Sequence, residues 1–346
     1  MKKCVLFIII SLLLFSCIKS PDETIGTFLS GSGVYILNEG NFRGGNGSVS
    51  FYSYDSVNIY NDLFSKVNGR PLGDVPNSMA ITGAYAYIVV NNSGKIEVVD
   101  KTTMESIATI NGLISPRNIQ FINKDLAYVT SLYSDSIAMI NTRTYSISGY
   151  INLRRSSETI VAYQDLVYVS NWLGGNEVMV INTLTNKVID SITVAVEPES
   201  MVLDRNNMLW VLCNGGWERK NFAELIQIDA RTRRIEKRLV FPDKLASPSC
   251  LNIDGKGETL FYLDGGVRKV SITSSALPSS AYIPEAGRYF YKLAINPANG
   301  DIFITDAKDF QQKGVVMYYD KNGEMISTLK ADIIPGLMCF KLIKSL

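Results

Sequence analysis

A repeated pair of strand-like segments constrains the fold of this chain more than any other feature. In the clearest copy, a run at 166–171 rich in Val and Tyr is followed by a loop and a second run at 177–183. Two further clear copies are 126–131 with 136–142 and 85–91 with 95–100. Each run is β-branched and aromatic and ends in Asn, Asp, Gly or Ser, which indicates strands and tight turns without a helical period.

With some drift, the unit occurs seven times along the chain. The leading runs begin near residues 34, 85, 126, 166, 208, 259 and 301. Their spacing of 40 to 51 residues matches four-stranded propeller blades, whose period is roughly 40–50 residues. The sequence therefore predicts an all-β fold, a seven-bladed β-propeller of four-stranded blades over residues 34–340.

Short segments, often opened by proline, precede six of the seven leading runs and are predicted to be the innermost strands. They are 76–81, 116–121, 158–162, 198–203, 248–253 and 291–295. Proline at the first residue of a strand removes no ladder donor. The first copy has no such segment before Val34, and the missing one stands at the other end of the chain, at 335–340. We therefore expect the C-terminal strand to complete the first blade, because closure leaves no open sheet edge.

The N-terminus has the pattern of a secretory signal peptide. Lys2 and Lys3 precede an apolar run at 4–15, which is shorter than the roughly 20 residues of a membrane-spanning helix, although an anchor helix is the alternative. The Leu-Phe-Ser-Cys sequence ending at Cys17 resembles a bacterial lipobox, and this resemblance implies cleavage before Cys17 and lipidation of its sulfur. Several acyl chains hold a protein durably on a membrane. The predicted divisions are a signal peptide at 1–16, a lipidated tether at 17–33, the propeller at 34–340 and a tail at 341–346.

The chain contains no histidine. Ser-His-Asp triads, histidine-ligated metal sites and histidine general bases are therefore excluded, and we expect no catalytic residues, no metal site, no cofactor and no enzyme activity. The 34 basic and 33 acidic side chains nearly balance, whereas nucleic-acid binding needs a basic face. Calcium is an alternative at Asp264, Asp306 and Asp309, although their spacing matches no calcium loop.

Three of the five cysteines, Cys213, Cys250 and Cys339, lie within strand-like runs. Buried cysteine behaves as a small hydrophobic residue, and an odd number cannot pair completely. We predict free thiols, with a disulfide between two of them as the alternative.

Candidate ligand-binding residues lie on loops that a propeller would bring to one face. These are the loops between the second and third strands of each blade and the loops leading into the innermost strands. The candidates are Phe42, Arg43, Asn91, Arg117, Tyr133, Arg154, Trp172, Glu199, Asn214, Trp217 and Phe310. Loop aromatics offer flat apolar area and amides offer donors and acceptors. Turn chemistry accounts for many of the Asn and Gly residues, but an exposed Trp has no role in a turn.

The middle repeats resemble a known family. Val-Tyr-Val-Ser-Asn-Trp at 167–172 with Val-Met-Val-Ile-Asn-Thr at 178–183 resembles the YVTN-type repeat of YncE-like seven-bladed propellers, and the resemblance covers about residues 34–340. With the lipobox and the acidic pair at 22–23, the chain resembles the BtuG-type surface lipoproteins of Bacteroidetes that capture cobalamin.

That resemblance implies a function, a partner and a location. The ligand would be cobalamin (vitamin B12), carried as cargo rather than used as a cofactor. The partner would be a TonB-dependent transporter, and the lipid anchor would hold the protein on the outer membrane, facing the cell exterior; we expect a monomer. Two alternatives stay open, a propeller that binds a glycan or peptide or docks a partner, and a calcium-dependent lactonase or lyase.

Overall fold

The computed structural model describes residues 29–342. The predicted signal peptide, the lipidation site at Cys17 and residues 343–346 lie outside the described residues. The described part forms seven four-stranded antiparallel sheets, one short helix, α1 (Leu63–Asn68), and no helix long and apolar enough to cross a membrane. The predicted all-β, seven-bladed propeller is confirmed.

The strands follow the blades in chain order. Blade 1 contains β1 (Gly33–Asn38), β2 (Ser48–Ser53) and β3 (Asn58–Tyr60), and blade 2 contains β4 (Pro76–Thr82), β5 (Tyr85–Val90), β6 (Lys95–Asp100) and β7 (Ser106–Asn111). Blade 3 contains β8 (Pro116–Phe121), β9 (Leu126–Ser131), β10 (Ser136–Asn141) and β11 (Ser146–Asn152), and blade 4 contains β12 (Ile160–Tyr163), β13 (Leu166–Asn171), β14 (Glu177–Asn182) and β15 (Lys187–Thr193). Blade 5 contains β16 (Pro198–Leu203), β17 (Met208–Cys213), β18 (Glu224–Asp229) and β19 (Ile235–Val240). Blade 6 contains β20 (Ser249–Ile253), β21 (Thr259–Leu263), β22 (Gly266–Ser271) and β23 (Ile283–Pro284). Blade 7 contains β24 (Lys292–Ile295), β25 (Ile302–Asp306), β26 (Lys313–Tyr319) and β27 (Met325–Ile333), and β28 (Pro335–Lys341) returns to blade 1.

The two ends of the chain close the ring. Strand β28 is the innermost strand of blade 1 and pairs antiparallel with β1, with Val34 opposite Phe340. The innermost strands of neighbouring blades contact one another all the way round, including β24 with β28 and β28 with β4. The predicted closure is confirmed. The packed region is slightly larger than 34–340, because Leu29 is buried and the buried Lys341 ammonium donates to the carbonyls of Leu29 and Gly31.

A buried aromatic side chain near the start of each second strand fills the space between blades. The set is Tyr35, Tyr87, Tyr128, Tyr168, Trp210, Phe261 and Phe303. The hydroxyls of Tyr35 and Tyr168 donate to the carbonyls of Lys101 and Ala230, which lie beside turns of the following blade. Each such tyrosine therefore joins two blades by apolar contact and by a hydrogen bond, and the repeated tyrosine is part of the core.

Candidate ligand-binding face

The two predicted sets of loops lie on the same face, which we call the loop face. Backbone hydrogen bonds join the sets directly, from Asn91 N to Val75 O at 2.8 Å and from Leu132 N to Ser115 O at 3.1 Å. The face at the other ends of the strands is called the opposite face. The chain enters the propeller there, because β1 begins at Gly33 and runs toward the loop face.

Exposed aromatic side chains are concentrated on the loop face. Trp217 is 85% exposed, Tyr133 is 73% exposed and Phe42 is 67% exposed. The full set on this face is Phe42, Tyr133, Trp217, Phe222, Tyr289 and Phe310, with the apolar Ile114, Leu173 and Leu245 on the same loops. Elsewhere among residues 29–342, the large exposed aromatic residues are Tyr85 and Tyr150. Large aromatic side chains exposed together on one surface mark interaction sites.

At the centre of the loop face, the innermost strands surround a cavity of about 250 Å³. Its charged lining residues are Glu39, Arg117, Glu158, Glu199 and Lys292. Arg117 and Glu158 form a close ion pair, with Nη2 2.8 Å from Oε1 and Nε 2.8 Å from Oε2. Burial opposes the charge on Arg117, but the Glu158 carboxylate outweighs it, so the pKa of Arg117 is raised. These two side chains largely satisfy each other.

The polar side chains of the channel wall hold neighbouring blades together. Asn77 Nδ2 donates to the Arg117 carbonyl at 2.8 Å, and Asn118 Nδ2 donates to the Glu158 carbonyl at 3.1 Å. Thr159 Oγ1 donates to the Glu199 carbonyl at 2.9 Å in the same way, and each partner lies 40 residues further along the chain. The hydrogen bonds of these side chains therefore stabilise the fold and are already formed before any ligand binds.

Three other charged residues at the channel mouth, Glu39, Glu199 and Lys292, keep atoms that can still form hydrogen bonds. Tyr291 donates to Glu39 Oε1 at 2.8 Å, and Cys250 N donates to Glu199 Oε2 at 2.9 Å, so each carboxylate keeps one oxygen without a hydrogen bond from the described residues. Lys292 Nζ lies 5.1 Å from the Tyr291 ring centroid. Cys250 first, and then Tyr291, Glu199 and Glu39, raise the pKa of Lys292 against the opposing effect of its burial, so Lys292 is an ammonium ion. The mouth therefore presents both donors and acceptors.

The structure separates the predicted site residues into four groups. Arg117 and Glu199 line the channel mouth, whereas Phe42, Arg43, Tyr133, Arg154, Trp217 and Phe310 are exposed on the surrounding loops. Asn91 Nδ2 donates to Ser115 Oγ at 2.9 Å, and Asn214 Oδ1 accepts from Gly216 N at 2.9 Å, so both amides hold loops together. Trp172 is half-buried. Glu39 and Lys292 were not predicted, although Lys292 directly follows Tyr291 in a segment predicted to line the channel.

The three carboxylates considered for calcium form hydrogen bonds or an ion pair within the protein, and they do not all lie in one blade. Asp306 Oδ1 accepts from Lys308 N at 2.7 Å, and Asp309 Oδ1 accepts from Gln312 N at 2.9 Å. Asp264 lies in another blade, 3.7 Å from Arg268 Nη2. Within residues 29–342 no three Cys, Asp or Glu side chains are grouped to hold a metal ion. Cys213, Cys250 and Cys339 are free thiols, as predicted, and burial raises the pKa of Cys339 to about 12.

The blades, their closure and this face define a seven-bladed β-propeller with an aromatic-rimmed polar channel mouth. The chain belongs to the DUF5074 family, a domain of unknown function, which matches residues 32–336. A search of curated proteins found no match.

Solved structures share the fold at low sequence identity. A quinonprotein alcohol dehydrogenase-like protein from Bacteroides thetaiotaomicron is 15% identical, with a TM-score of 0.71 over 90% of this chain and 78% of its own. A proposed 6-phosphogluconolactonase from Bacteroides uniformis is 10% identical, with a TM-score of 0.67 over 90% of this chain and 99% of its own. At these identities the similarity shows the fold alone.

Proposed function

We propose that this protein is a binding protein whose loop face captures a large polar ligand, cobalamin, over the channel mouth. The observation that carries the proposal is the unequal distribution of exposed aromatic residues between the faces. Trp217, Tyr133 and Phe42 stand around a polar centre, a combination that offers flat apolar area at the rim and hydrogen bonds in the middle.

The size of the mouth favours a ligand that rests on the face. Enclosed ligand pockets are about 300–1,000 Å³, and the cavity at the mouth is about 250 Å³. A broad ligand would therefore cover the opening and reach the aromatic loops around it. Cobalamin fits this description, because its flat corrin ring carries carboxamides along its edge. Those amides would pair with the open oxygens of Glu39 and Glu199 and with Lys292, while the rim aromatics would pack on the ring.

The absence of histidine limits how the vitamin would be held. With no imidazole in the chain, the cobalt would keep its own axial ligands, and recognition would depend on the amide edge and the ring faces. This is the behaviour of a carrier and not of an enzyme that uses the cobalt.

The direction of the chain supports surface capture by an anchored protein. The propeller begins at Leu29 and Gly33 on the opposite face, so a tether lipidated at Cys17 would leave from the side away from the loop face. The loop face would then point outward from the outer membrane, available to ligand and to a TonB-dependent transporter that receives it.

Calorimetry of the full chain in detergent with cyanocobalamin tests the proposal. We expect stoichiometric binding that Trp217→Ala and Tyr133→Ala each weaken by about 1–3 kcal/mol, as aromatic anchors do. Tyr85→Ala is the matched control, because Tyr85 is 36% exposed at the start of β5, at the end of its blade that lies on the opposite face. No binding of cyanocobalamin would exclude this ligand. A panel of oligosaccharides in the same assay tests the alternative ligand class. If a glycan binds and Trp217→Ala abolishes that binding, the loop face is still the binding surface but its ligand is a glycan and not cobalamin.

A further inference from the structure

We propose that a cleft on the opposite face, between blades 6 and 7, binds a phosphate monoester. The cleft has a volume of about 380 Å³, larger than the channel mouth and within the range of small-molecule pockets. Its walls are the β20–β21 loop at 254–258, the β24–β25 loop at 297–300 and the turn at 321–322. None of the loop-face residues takes part, so this site is independent of the capture face.

Three lysine side chains that form no ion pair line the cleft. Lys256, Lys269 and Lys321 are lining residues, and none has a carboxylate oxygen of the described chain within 4.0 Å. In a chain with nearly balanced charge, three lysines without an ion-pair partner around one cavity favour binding of a multiply charged anion.

Two carboxylates, Asp254 and Glu258, also line the cleft, and Asp301 and Asp320 lie close to it in sequence. Asp254 Oδ1 accepts from Glu258 N at 2.8 Å, and Glu258 is paired with Arg205. Asp301 Oδ2 accepts from Tyr318 at 2.6 Å, and Asp320 Oδ1 accepts from the backbone of Asn322 at 2.9 Å. Asp301 and Asp320 are not lining residues, and the charge of Glu258 is balanced by Arg205, so the three lysines of the lining outnumber its one unpaired carboxylate, that of Asp254.

One ammonium group is held in place before any ligand binds. Lys269 Nζ lies 4.4 Å from the Tyr282 ring centroid and 5.7 Å from the Phe261 ring centroid. The Tyr282 hydroxyl donates to the Lys321 carbonyl at 2.9 Å, which ties this aromatic wall to the turn that carries another lysine. Cation–π contacts order the side chain, and ordering in advance reduces the entropic cost of binding.

The number of ammonium groups favours phosphate over a single carboxylate. A phosphate monoester carries nearly two negative charges at neutral pH and three strong acceptor oxygens, which suits a cleft lined by three lysines, and lysine is a common phosphate ligand. The cleft has room for a glycerol or sugar group beside the phosphate. Because the chain enters the propeller on this same face, the phosphate could belong to a lipid headgroup or to a soluble ester.

Calorimetry with the full chain in detergent tests whether the cleft binds a phosphate monoester and whether that phosphate belongs to a lipid or to a soluble molecule. Glycerol 3-phosphate is the soluble probe and dihexanoyl phosphatidate is the lipid probe. We expect the double variant Lys256→Gln with Lys321→Gln to weaken binding about tenfold or more, equivalent to ~1.4 kcal/mol. Both lysines are exposed, so folding should be unaffected. The charge-matched control is Lys124→Gln with Lys187→Gln, two exposed lysines at the same ends of other blades.

Each outcome decides the proposal. Binding of both probes, lost in the cleft variant and kept in the control, supports a soluble phosphate ester as ligand. Binding of the lipid probe alone, with the same loss, supports a headgroup. Binding of neither probe, or an equal loss in the control variant, overturns the proposal. Cyanocobalamin binding by the cleft variant should equal that of the unmodified protein.

Discussion

The guanidinium of Arg117 and the carboxylate of Glu158 form three N–H···O contacts of 2.8 to 3.0 Å across the boundary between blades 3 and 4. Their side chains are only 18% and 11% exposed. The pair lies at the edge of the channel mouth, and the Glu158 carbonyl also accepts from Asn118 and Thr130. An arginine predicted to contact ligand therefore stabilises the junction of two blades.

Removing one member of this pair should destabilise the protein strongly. We expect Arg117→Met and Glu158→Gln each to cost about 3 kcal/mol, because each leaves a buried charge without its partner. The double variant should cost clearly less than the sum, since neither charge is then left alone. Urea unfolding measures all three free energies. The exposed pair of Arg143 and Asp125 is the control, and Arg143→Met should cost well under 1 kcal/mol; additive losses at the buried pair would contradict this account.

Closure by the C-terminal strand should be required for cooperative folding. Truncation after Ile334 removes β28, so β1 would lose its inner neighbour along the register from Gly33 to Asn38. An open strand edge also promotes association between chains. We expect loss of a single sharp thermal transition, together with aggregation seen by light scattering. Truncation after Leu342 is the control and should unfold as the full chain does.

The sequence predicted the blades well because their signals are local. Strands β9 and β13 begin at Leu126 and Leu166, where the repeat placed them, since β-branched runs and turn residues lie side by side in the chain. Lys341 was predicted to be tail, but its ammonium is fixed by carbonyls at the far N-terminal end. That contact spans the whole chain and has no local signature.

The candidate site was less predictable, because loop residue types do not reveal their partners. Asn91 was predicted to bind ligand, yet its amide donates to Ser115 Oγ of the next loop. Trp217 and Tyr133 were predicted on their chemistry alone, and their exposure is consistent with a binding role. Lys292 was missed because it lies in a segment predicted only as an inner strand. Which side chains of such a strand face the channel depends on how the blades close into a ring.

The buried Lys341 should make stability depend on pH above neutrality. Burial, assisted by Lys101, lowers the pKa of Lys341 from 10.5 to about 8. Between these values the unfolded chain holds the proton and the folded chain has released it, so stability should rise with pH across this interval. Below about pH 8 both states are protonated and the destabilisation is fully present. The neutral amine still has two N–H groups for Leu29 and Gly31.

Urea midpoints at several pH values from 7.5 to 9.5 measure this effect. The difference between the unmodified protein and Lys341→Met isolates it, because other titrating groups contribute equally to both. The rise should be present in the first and absent in the second. Parallel pH profiles would show that this lysine is not the cause.

Lys292 should contribute to ligand capture from the centre of the face. If the ligand covers the mouth, Lys292→Gln removes an ammonium donor that faces the cavity between Glu39 and Glu199, and binding of cyanocobalamin should weaken about tenfold, as for one charge-assisted hydrogen bond. Lys313→Gln is the control, because Lys313 also lies on the loop face but is paired with Asp332 at 2.7 Å, outside the channel; it should leave affinity unchanged. Thermal unfolding must show that both variants fold. Equal affinities for Lys292→Gln and the control, alongside a loss in Trp217→Ala, would place the ligand on the aromatic rim without contact to the channel, since the rim and the mouth are then energetically separate.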